Sequence, residues 1–204
     1  MHLLDQRLLG GIILFLLGLL VIVKQVSTGS VLDKPKGNLL VQLVNGFNLL
    51  FLLVVIPLTA ILLIARRFPT IDPAPVRIDS PSLRAALEIT GLVVCVMGFL
   101  LMIAALVALG RNYQLGGSAP RSEDALVVAG PFRLIRHPMY TAALGISLGL
   151  ACLIQSWILL GVFAIYVVLI LLLVPIEEDG LRQAYGEPYD AYRQATRKLI
   201  PFVY

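Results

Sequence analysis

The amino-acid sequence predicts an all-α integral membrane protein with about five transmembrane helices, a tight C-terminal helical hairpin and a short amphipathic helical tail. Three observations predict this class. Of the 204 residues, 59% are hydrophobic and only 14% are charged, whereas soluble domains carry about 25% charged residues. The apolar residues are gathered in long blocks, and the longest block has a polar dipeptide near its middle. A chain with so few charges cannot cover a water-exposed surface.

Four apolar blocks account for the helices, because a hydrocarbon core of about 30 Å requires about 20 apolar residues. In chain order they run from Leu8 to Val23, from Leu39 to Ala65, from Ala85 to Leu109 and from Tyr140 to Pro175. The first block has no clear small-residue cleavage signal, so we expect a retained span rather than a signal peptide. In the second block, Pro57 predicts a kink.

The fourth block is too long for one span, since at 1.5 Å per residue it reaches roughly 50 Å. The polar pair Gln155-Ser156 lies near its middle, and we therefore divide the block into two antiparallel helices, Tyr140 to Ile154 and Trp157 to Pro175. Both outer ends of this hairpin then lie at the same membrane face. The division brings Arg136-His137 close to the acidic run Glu177 to Asp179.

The segment from Glu177 onward is polar, with apolar residues at helical spacing. These apolar positions are Leu181, Tyr185, Tyr189 and Tyr192. The spacing predicts one or two short amphipathic helices, broken at Gly186 and Pro188.

The distribution of Lys and Arg predicts the orientation in the membrane. With five spans, the N-terminus, the 66–84 segment and the 155–156 turn share one side, which carries five of the 16 basic residues. The other side holds the 24–38 and 110–139 segments and the tail, and carries eleven. We therefore expect the 110–139 segment and the C-terminus to be cytoplasmic. The net charge of +4 indicates contact with anionic lipid rather than nucleic acid, since the chain has no Lys/Arg-rich run.

Cysteine and histidine usage exclude redox and metal chemistry from the predicted functions. Cys95 and Cys152 lie in apolar segments and form no CxxC pair, so we interpret both as small buried hydrophobic residues. The two histidines are His2, near the N-terminus, and His137. His137 alone cannot build a metal site, and no metal is expected. No Walker-type phosphate loop, dinucleotide-binding glycine motif or HExxH motif is present.

Charged residues close to hydrocarbon are costly and are often functional. The three acids from Glu177 to Asp179 lie at a membrane end that faces anionic lipid. One interpretation is an ion pair between Arg136 and Glu177 or Glu178 that stabilises the hairpin. The other is a polar pocket for a charged small molecule, open to the cytosol on one side and to lipid on the other.

Several motifs together resemble one family. "RHPMY", Arg136 to Tyr140, precedes the hairpin, and "EED" and "YGEPYDAYRQATRKLIP", Tyr185 to Pro201, follow it. With "LGRNYQ", Leu109 to Gln114, this combination resembles the isoprenylcysteine carboxyl methyltransferase and phospholipid methyltransferase superfamily. The resemblance covers about half the chain. It divides the chain into N-terminal transmembrane helices, 1–104, and a catalytic methyltransferase-like region, 105–204.

The resemblance implies an enzyme that uses S-adenosyl-L-methionine as methyl donor, bound near the cytosolic face, with a lipophilic or lipidated acceptor from the bilayer. Carried over by position, it implies a set of cofactor-binding residues. These are Asp124, Leu126, Val127, Phe132, His137, Pro138, Met139, Tyr140 and Glu177. Arg136 and Glu178 are the candidate catalytic residues. No general base is expected, because methyl transfer needs alignment and desolvation more than acid–base chemistry; if one is used, a glutamate of the pair is the candidate.

The chain departs from the family at Leu173, where the prenylcysteine enzymes carry a substrate-side arginine. Leu173 is therefore the candidate substrate-binding position, and the acceptor is left open among a carboxylate, a thiol and an amine. Two other functions are compatible with parts of the pattern. One is an NADPH-dependent membrane lipid reductase, because sterol reductases carry an element similar to "RHPMY". The other is a non-catalytic membrane protein on the same scaffold.

Overall fold

The structure, a computed structural model, describes residues 4–30, 38–117, 120–121 and 123–200, apart from the side chain of Pro69. His2 and Pro201, which enter the interpretations above, lie outside the described residues. So do Lys34 and Lys36, two of the eleven basic residues counted on the predicted cytoplasmic side.

The described part of the chain is helical, with two isolated β-bridges and no strand. Its α-helices in chain order are α1 (Gln6–Thr28), α2 (Leu39–Leu50), α3 (Ile56–Ile64), α4 (Phe68–Ile71), α5 (Pro81–Leu109), α6 (Pro138–Ile154), α7 (Trp157–Tyr185) and α8 (Glu187–Ala195). Short 3-10 turns occupy Gly110–Asn112 and Gly130–Arg133. The all-helical prediction is confirmed.

Four of these helical segments are long and apolar enough to cross a membrane. They are Gln6–Thr28, Leu39–Ile64, Pro81–Asn112 and Trp157–Tyr185. The fifth predicted span, α6, is apolar but has only 17 residues, which corresponds to about 25 Å. The chain is therefore a multi-pass membrane protein in which one arm of the hairpin is shorter than the other.

The second span contains an irregularity immediately before Pro57. A π-helical turn, Phe51–Val55, joins α2 to α3, and Ile56 N donates to Phe51 O at its end. Pro57 has no backbone N–H and its ring crowds the preceding turn, so a wider turn at this point relieves the clash. The interruption predicted at Pro57 thus takes the form of a π-helical turn, and such turns are frequent at functional sites.

The predicted end of the hairpin's return arm at Pro175 is wrong, because α7 continues to Tyr185 with Pro175 inside it. Proline is compatible with the helical φ angle and removes one backbone hydrogen bond. Buried side chains on both sides, Val174 and Glu178, hold the helix across that gap. The helix ends instead at Gly186, whose φ of 60° suits a residue without a Cβ.

Helices α5 and α6 pack closely through small residues. A Cβ built on Gly149 would lie 2.5 Å from Cys95 N, and one built on Gly98 would lie 2.8 Å from Ile146 N. Such distances leave no room for a side chain, so the two backbones approach as in other small-residue membrane interfaces. This contact fixes the position of α6, and with it the segment that precedes Pro138.

Contacts on one side of the molecule group the segments that the five-span topology places together. Val76 N donates to Gln155 O over 2.7 Å, and Trp157 N donates to Ala74 O over 3.0 Å. Arg66 Nη2 lies 2.5 Å from Asp5 Oδ2. The N-terminus, the segment after α3 and the hairpin turn therefore lie together.

At the opposite side, the chain after α8 pairs with the residues that precede α6. Arg197 N donates to Leu134 O over 3.2 Å, Arg136 N donates to Arg197 O over 2.7 Å, and His137 N donates to Lys198 O over 3.0 Å. The sequence did not predict this parallel pairing. It places the tail directly against Arg136 and His137.

Candidate active site

A cavity of about 310 Å³ lies where α1, α2, α3 and α5 meet the 112–140 segment, α7 and α8. One part of its wall is polar and aromatic and comes from the residues around His137, Glu177 and the tail. The other part is apolar and comes from the membrane helices. Its members are Leu20, Val21, Leu49, Leu52, Leu53, Ile56, Met102 and Leu106. Leu49 and Leu53 in this wall are 45% and 47% exposed, so the apolar end of the cavity is open at these two residues.

All nine residues predicted to contact the cofactor lie in the wall of this cavity. Asp124, Leu126 and Val127 come from the loop after α5, and Phe132 comes from the following 3-10 turn. His137, Pro138, Met139 and Tyr140 form the start of α6, and Glu177 comes from α7. The fold thus brings together residues that are up to 53 positions apart in the sequence.

Arg136 and Glu178 form a buried ion pair. Arg136 Nε lies 2.7 Å from Glu178 Oε1, and the two side chains are 7% and 6% exposed. Arg136 Nη1 also donates to Arg193 O over 3.1 Å and to Thr196 O over 2.7 Å. Arg136 therefore connects α7 to the tail, whereas Glu178 lies outside the cavity wall formed by the described residues.

Glu177, in contrast, lines the cavity and accepts a hydrogen bond of 2.5 Å from the Tyr140 hydroxyl. Each of the two interpretations of the acidic run therefore applies to one glutamate. Glu178 forms the ion pair, and Glu177 forms part of the polar wall. Their order along α7 explains this division, because consecutive residues of a helix point about 100° apart.

His137 lies between the two glutamates. Its Nδ1 is 4.0 Å from Glu177 Oε2, and its Nε2 is 3.5 Å from Glu178 Oε1. The side chain stacks on the Tyr140 ring at 5.6 Å between centroids. It is buried, and Nε2 has no hydrogen-bond partner among the described residues. By these distances, Nε2 faces Glu178, outside the cavity wall, and Nδ1 faces Glu177, which lines the cavity.

Asp124 fixes the loop that closes one side of the cavity. Its carboxylate accepts hydrogen bonds from Arg121 N, over 2.9 Å, and from the Gln114 side-chain amide. Arg121 Nη2 lies 2.9 Å from Asp124 Oδ1. Burial raises the pKa of Asp124, but the hydrogen bonds from Arg121 and Gln114 outweigh it and hold the pKa below its ordinary value. The group is a carboxylate at neutral pH.

Three tail tyrosines, Tyr185, Tyr189 and Tyr192, cover the polar end of the cavity. Tyr192 donates to Phe132 O over 2.7 Å, and Tyr185 donates to Asp124 O over 3.4 Å. Burial raises the pKa of Tyr192 to about 12, so its hydroxyl stays a donor. Tyr189 is fully buried, and its hydroxyl has no partner in the described part of the chain.

Sequence reasoning missed a polar group in the middle of the cavity. Asn45 and Asn48, from α2, both line it, as do Tyr166 and Gly116. Tyr166 donates its hydroxyl to Asn48 Oδ1. The signal was present in the sequence, because two asparagines three residues apart in an apolar span share one helix face and mark a candidate site.

Leu173, the candidate substrate-binding position, lies elsewhere. It is fully buried and is not part of the described cavity wall. A Cβ built on Gly117 would lie 2.8 Å from its Cδ1, so Leu173 packs under the loop that follows α5. Its contribution is apolar packing behind the wall.

Fold and site together define a helical membrane protein whose cavity has polar and aromatic residues in one part of its wall and apolar residues from the membrane helices in the other. Residues 87–188, half of the chain, match the phospholipid methyltransferase family. The chain belongs to this family, within the superfamily that its motifs resemble.

Individual relatives support the same assignment. Protein-S-isoprenylcysteine O-methyltransferases B and A of Arabidopsis thaliana are each 30% identical over 115 residues, which cover 55% of this chain and 58% of each relative. A probable protein-S-isoprenylcysteine O-methyltransferase of Oryza sativa subsp. indica is 29% identical over 117 residues, or 55% of this chain and 60% of that relative. The match therefore spans under two thirds of the length of these curated relatives.

A solved structure of a eukaryotic intramembrane Ras methyltransferase, isoprenylcysteine carboxyl methyltransferase, is similar in fold. Its TM-score is 0.55 at 21% identity, and the alignment covers 92% of this chain and 74% of that one. At this level of identity the similarity shows the fold. It extends over the N-terminal helices, which the motifs of the sequence left unassigned.

Proposed function

We propose that the protein is a membrane methyltransferase that transfers a methyl group from S-adenosyl-L-methionine to a lipophilic acceptor at the membrane interface. The observation that supports this most is the two-ended cavity. All nine residues implied by the family resemblance line it, and its apolar part is open at Leu49 and Leu53. A water-soluble donor and a lipid acceptor can therefore meet inside one protein.

The residues of the polar end fit the donor's functional groups. Glu177 can accept hydrogen bonds from its ammonium group or ribose hydroxyls. The Tyr189 hydroxyl, which has no partner among the described residues, can bind one of its remaining polar groups, and Phe132 or Tyr192 can stack on adenine. The volume of about 310 Å³ lies within the range of small-molecule sites. When bound, the donor supplies an electrophilic methyl group on a sulfonium.

The protein's own contribution is alignment and exclusion of water, which methyl transfer needs more than acid–base chemistry. The tail tyrosines cover the polar end, and the Arg136–Glu178 pair holds that tail in place through Arg193 O and Thr196 O. This geometry favours a positioning role for Arg136 and Glu178. Of the two glutamates, Glu177 is the one in the cavity wall and hence the better candidate for contact with reacting groups.

The acceptor class, orientation and division of the chain belong to the same proposal. The names of the plant relatives suggest a lipidated cysteine as one candidate acceptor, alongside other lipophilic thiols, carboxylates and amines. The polar end of the cavity is formed by segments for which the sequence predicts the side with eleven of the 16 basic residues, which favours a cytosolic site. Residues 105–204 supply most of the polar lining, and both 105–204 and 1–104 contribute to the apolar lining.

Ligand binding tests the proposal against its two alternatives. Calorimetry on the detergent-purified chain should show binding of S-adenosylhomocysteine and no binding of NADPH. Binding of NADPH alone would indicate the reductase. Binding of neither ligand by a folded protein would indicate a non-catalytic membrane protein, and either result would overturn the proposal.

A further inference from the structure

Asn45 is a buried residue of the cavity wall whose side-chain amide nitrogen is hydrogen-bonded and whose amide oxygen is not. The residue is 4% exposed. Its Nδ2 donates to Val41 O over 2.9 Å and to Gly116 O over 2.9 Å. Its Oδ1 is buried and has no hydrogen-bond partner among the described residues.

The two bonds of Nδ2 determine which way the amide faces. Both partners are carbonyl oxygens, which accept and cannot donate. Turning the amide over would place its oxygen against two other oxygens, so the NH₂ group must face Val41 and Gly116. Oδ1 is therefore the atom left for a further partner, and that partner must be a donor.

Asn45 lies next to the polar wall of the proposed methyl-donor site. Gly116, which accepts from Asn45, packs directly against the Tyr140 hydroxyl, where a Cβ on Gly116 would overlap it. Tyr140 in turn donates to Glu177. Asn45 also borders the apolar wall, since Leu49 lies one helical turn further along the same segment. It is thus at the junction of the two ends of the cavity.

The cationic side chains of the described cavity wall already have partners within the chain. Arg136 is paired with Glu178 and the tail. Lys24 Nζ donates to Ser30 O over 2.9 Å and lies 4.7 Å above the Tyr113 ring. A carboxylate acceptor would lose its hydration on binding. It would then face the Asn45 oxygen, which cannot donate a hydrogen bond to it.

We propose that Asn45 Oδ1 recognises the acceptor by accepting a hydrogen bond from its nucleophilic group, so that the protein selects amines, alcohols or thiols on an apolar chain over carboxylates. This inference rests on the proposed methyltransferase function and names its acceptor class. Each of these groups carries a proton that an ionised carboxylate lacks. In the transfer, the bond from the methyl carbon to the sulfonium sulfur would break, its electron pair would leave with S-adenosylhomocysteine, and the acceptor nitrogen, oxygen or sulfur would bond to the methyl carbon and release this proton to water.

Direct binding tests this selection without the methyl donor. Three ligands that share a dodecyl chain and end in an amine, a hydroxyl or a carboxylate are titrated by calorimetry into the full chain in nanodiscs, with empty nanodiscs as the blank. The wild type should bind the amine and the alcohol more tightly than the carboxylate. If it binds the carboxylate as tightly or more tightly, the inference is overturned, and this comparison needs no variant.

Asn45→Thr isolates the amide oxygen. A threonine hydroxyl can still donate to the carbonyl four residues earlier, Val41 O, but the carbonyl oxygen is gone. We expect about tenfold weaker binding of the amine and the alcohol, the effect of one lost hydrogen bond, with carboxylate binding unchanged. An equal loss for all three ligands would mean that Asn45 only supports Gly116, and would overturn the inference.

Asn48→Thr is the matched control, because Asn48 Oδ1 already accepts from Tyr166. Its effect should be alike for the three ligands, and an amine-selective loss would assign the recognition to Asn48 instead. Binding of S-adenosylhomocysteine is measured on the same samples. Its absence in the wild type overturns the proposed function, whereas normal binding without the amine and alcohol preference overturns only the role of Asn45.

Discussion

The Tyr140 hydroxyl donates to Glu177 Oε2 across 2.5 Å, joining the first turn of α6 to α7 at the wall of the cavity. The hydrogen bond occupies one carboxylate oxygen and leaves the other available to a ligand. It also holds Glu177 in a fixed rotamer, which reduces the entropy lost on binding. Glu177 is therefore a preorganised anionic contact rather than a solvated surface charge.

Replacing Glu177 by Gln should weaken binding of S-adenosylhomocysteine about tenfold or more, because a charge-assisted hydrogen bond to an ammonium or hydroxyl becomes a neutral one. Gln can still accept from Tyr140, so thermal stability should change little. Glu177→Ala should weaken binding further and still fold. Calorimetry and thermal unfolding measure the two effects separately. Unfolding of the alanine variant would assign Glu177 a structural role.

Removing either partner of the Arg136–Glu178 pair should be strongly destabilising. The pair is buried on both sides. Loss of Arg136 would leave the Glu178 carboxylate with Lys198 Nζ at 3.8 Å, and loss of Glu178 would leave the Arg136 guanidinium with backbone carbonyls; each change should cost about 3 kcal/mol. Arg136→Met and Glu178→Met should each lower the midpoint of thermal unfolding, and the double variant should be less destabilised than the sum of the two. Additive effects in this double-mutant cycle would show that the two residues act independently.

Acid should open the loop that Asp124 holds. The pKa of Asp124 in the folded protein lies below its ordinary value of 3.8, so its stabilising effect is fully present above that value and is lost as the pH falls through the folded pKa. Asp124→Asn should therefore be less stable than the wild type at pH 7, and the difference should close as the pH falls below about 4. Thermal unfolding between pH 3 and 7 measures this, and a constant difference across the range would contradict it.

The contact between α5 and α6 should tolerate no side chain at Gly149. Gly149→Ala places a methyl group against the Cys95 backbone, whose nitrogen would lie 2.5 Å away, and should destabilise the protein by about 1–3 kcal/mol. Gly161→Ala in α7 is the control, since nothing lies within 4 Å of its Cβ position. Alanine there should be neutral or mildly stabilising. Equal effects of the two variants would argue against close α5–α6 packing.

Two tail tyrosines should respond differently to loss of the hydroxyl. Tyr189→Phe removes a buried hydroxyl without a partner among the described residues, so stability should be unchanged or slightly higher, while S-adenosylhomocysteine binding should weaken. Tyr192→Phe removes the hydrogen bond to Phe132 O and should cost about 1 kcal/mol of stability. Unaltered ligand binding by Tyr189→Phe would place that hydroxyl outside the ligand site.

Local patterns predicted most of the fold. Apolar length and the Gln155-Ser156 dipeptide were enough to place the hairpin, because both act over neighbouring residues. The end of α7 was mispredicted, since burial of Val174 and Glu178 overrides the local effect of Pro175. Packing against the rest of the protein decides where such a helix ends, and the helix propensity of a single residue carries no information about that packing.

The site was predicted where motifs carried it and missed where long-range contacts formed it. The residues around His137 and Glu177 follow from the family resemblance. Asn45 donates a hydrogen bond to Gly116 O, 71 residues away in the sequence, and both residues line the cavity. The backbone pairing of Arg136 with Arg197 likewise joins distant segments. Neither of these two long-range contacts produces a periodic pattern in the sequence from which it could be predicted.

The pairing of residues 134–137 with the tail has a consequence for biosynthesis. Membrane helices enter the bilayer as they are synthesised, and α1 to α7 precede the tail in the chain. The backbone partners of Arg136 and His137 are Arg197 and Lys198, among the last described residues to leave the ribosome. The wall of the cavity is therefore completed only after the membrane helices have been made, so a nascent chain can be inserted well before it can bind a ligand.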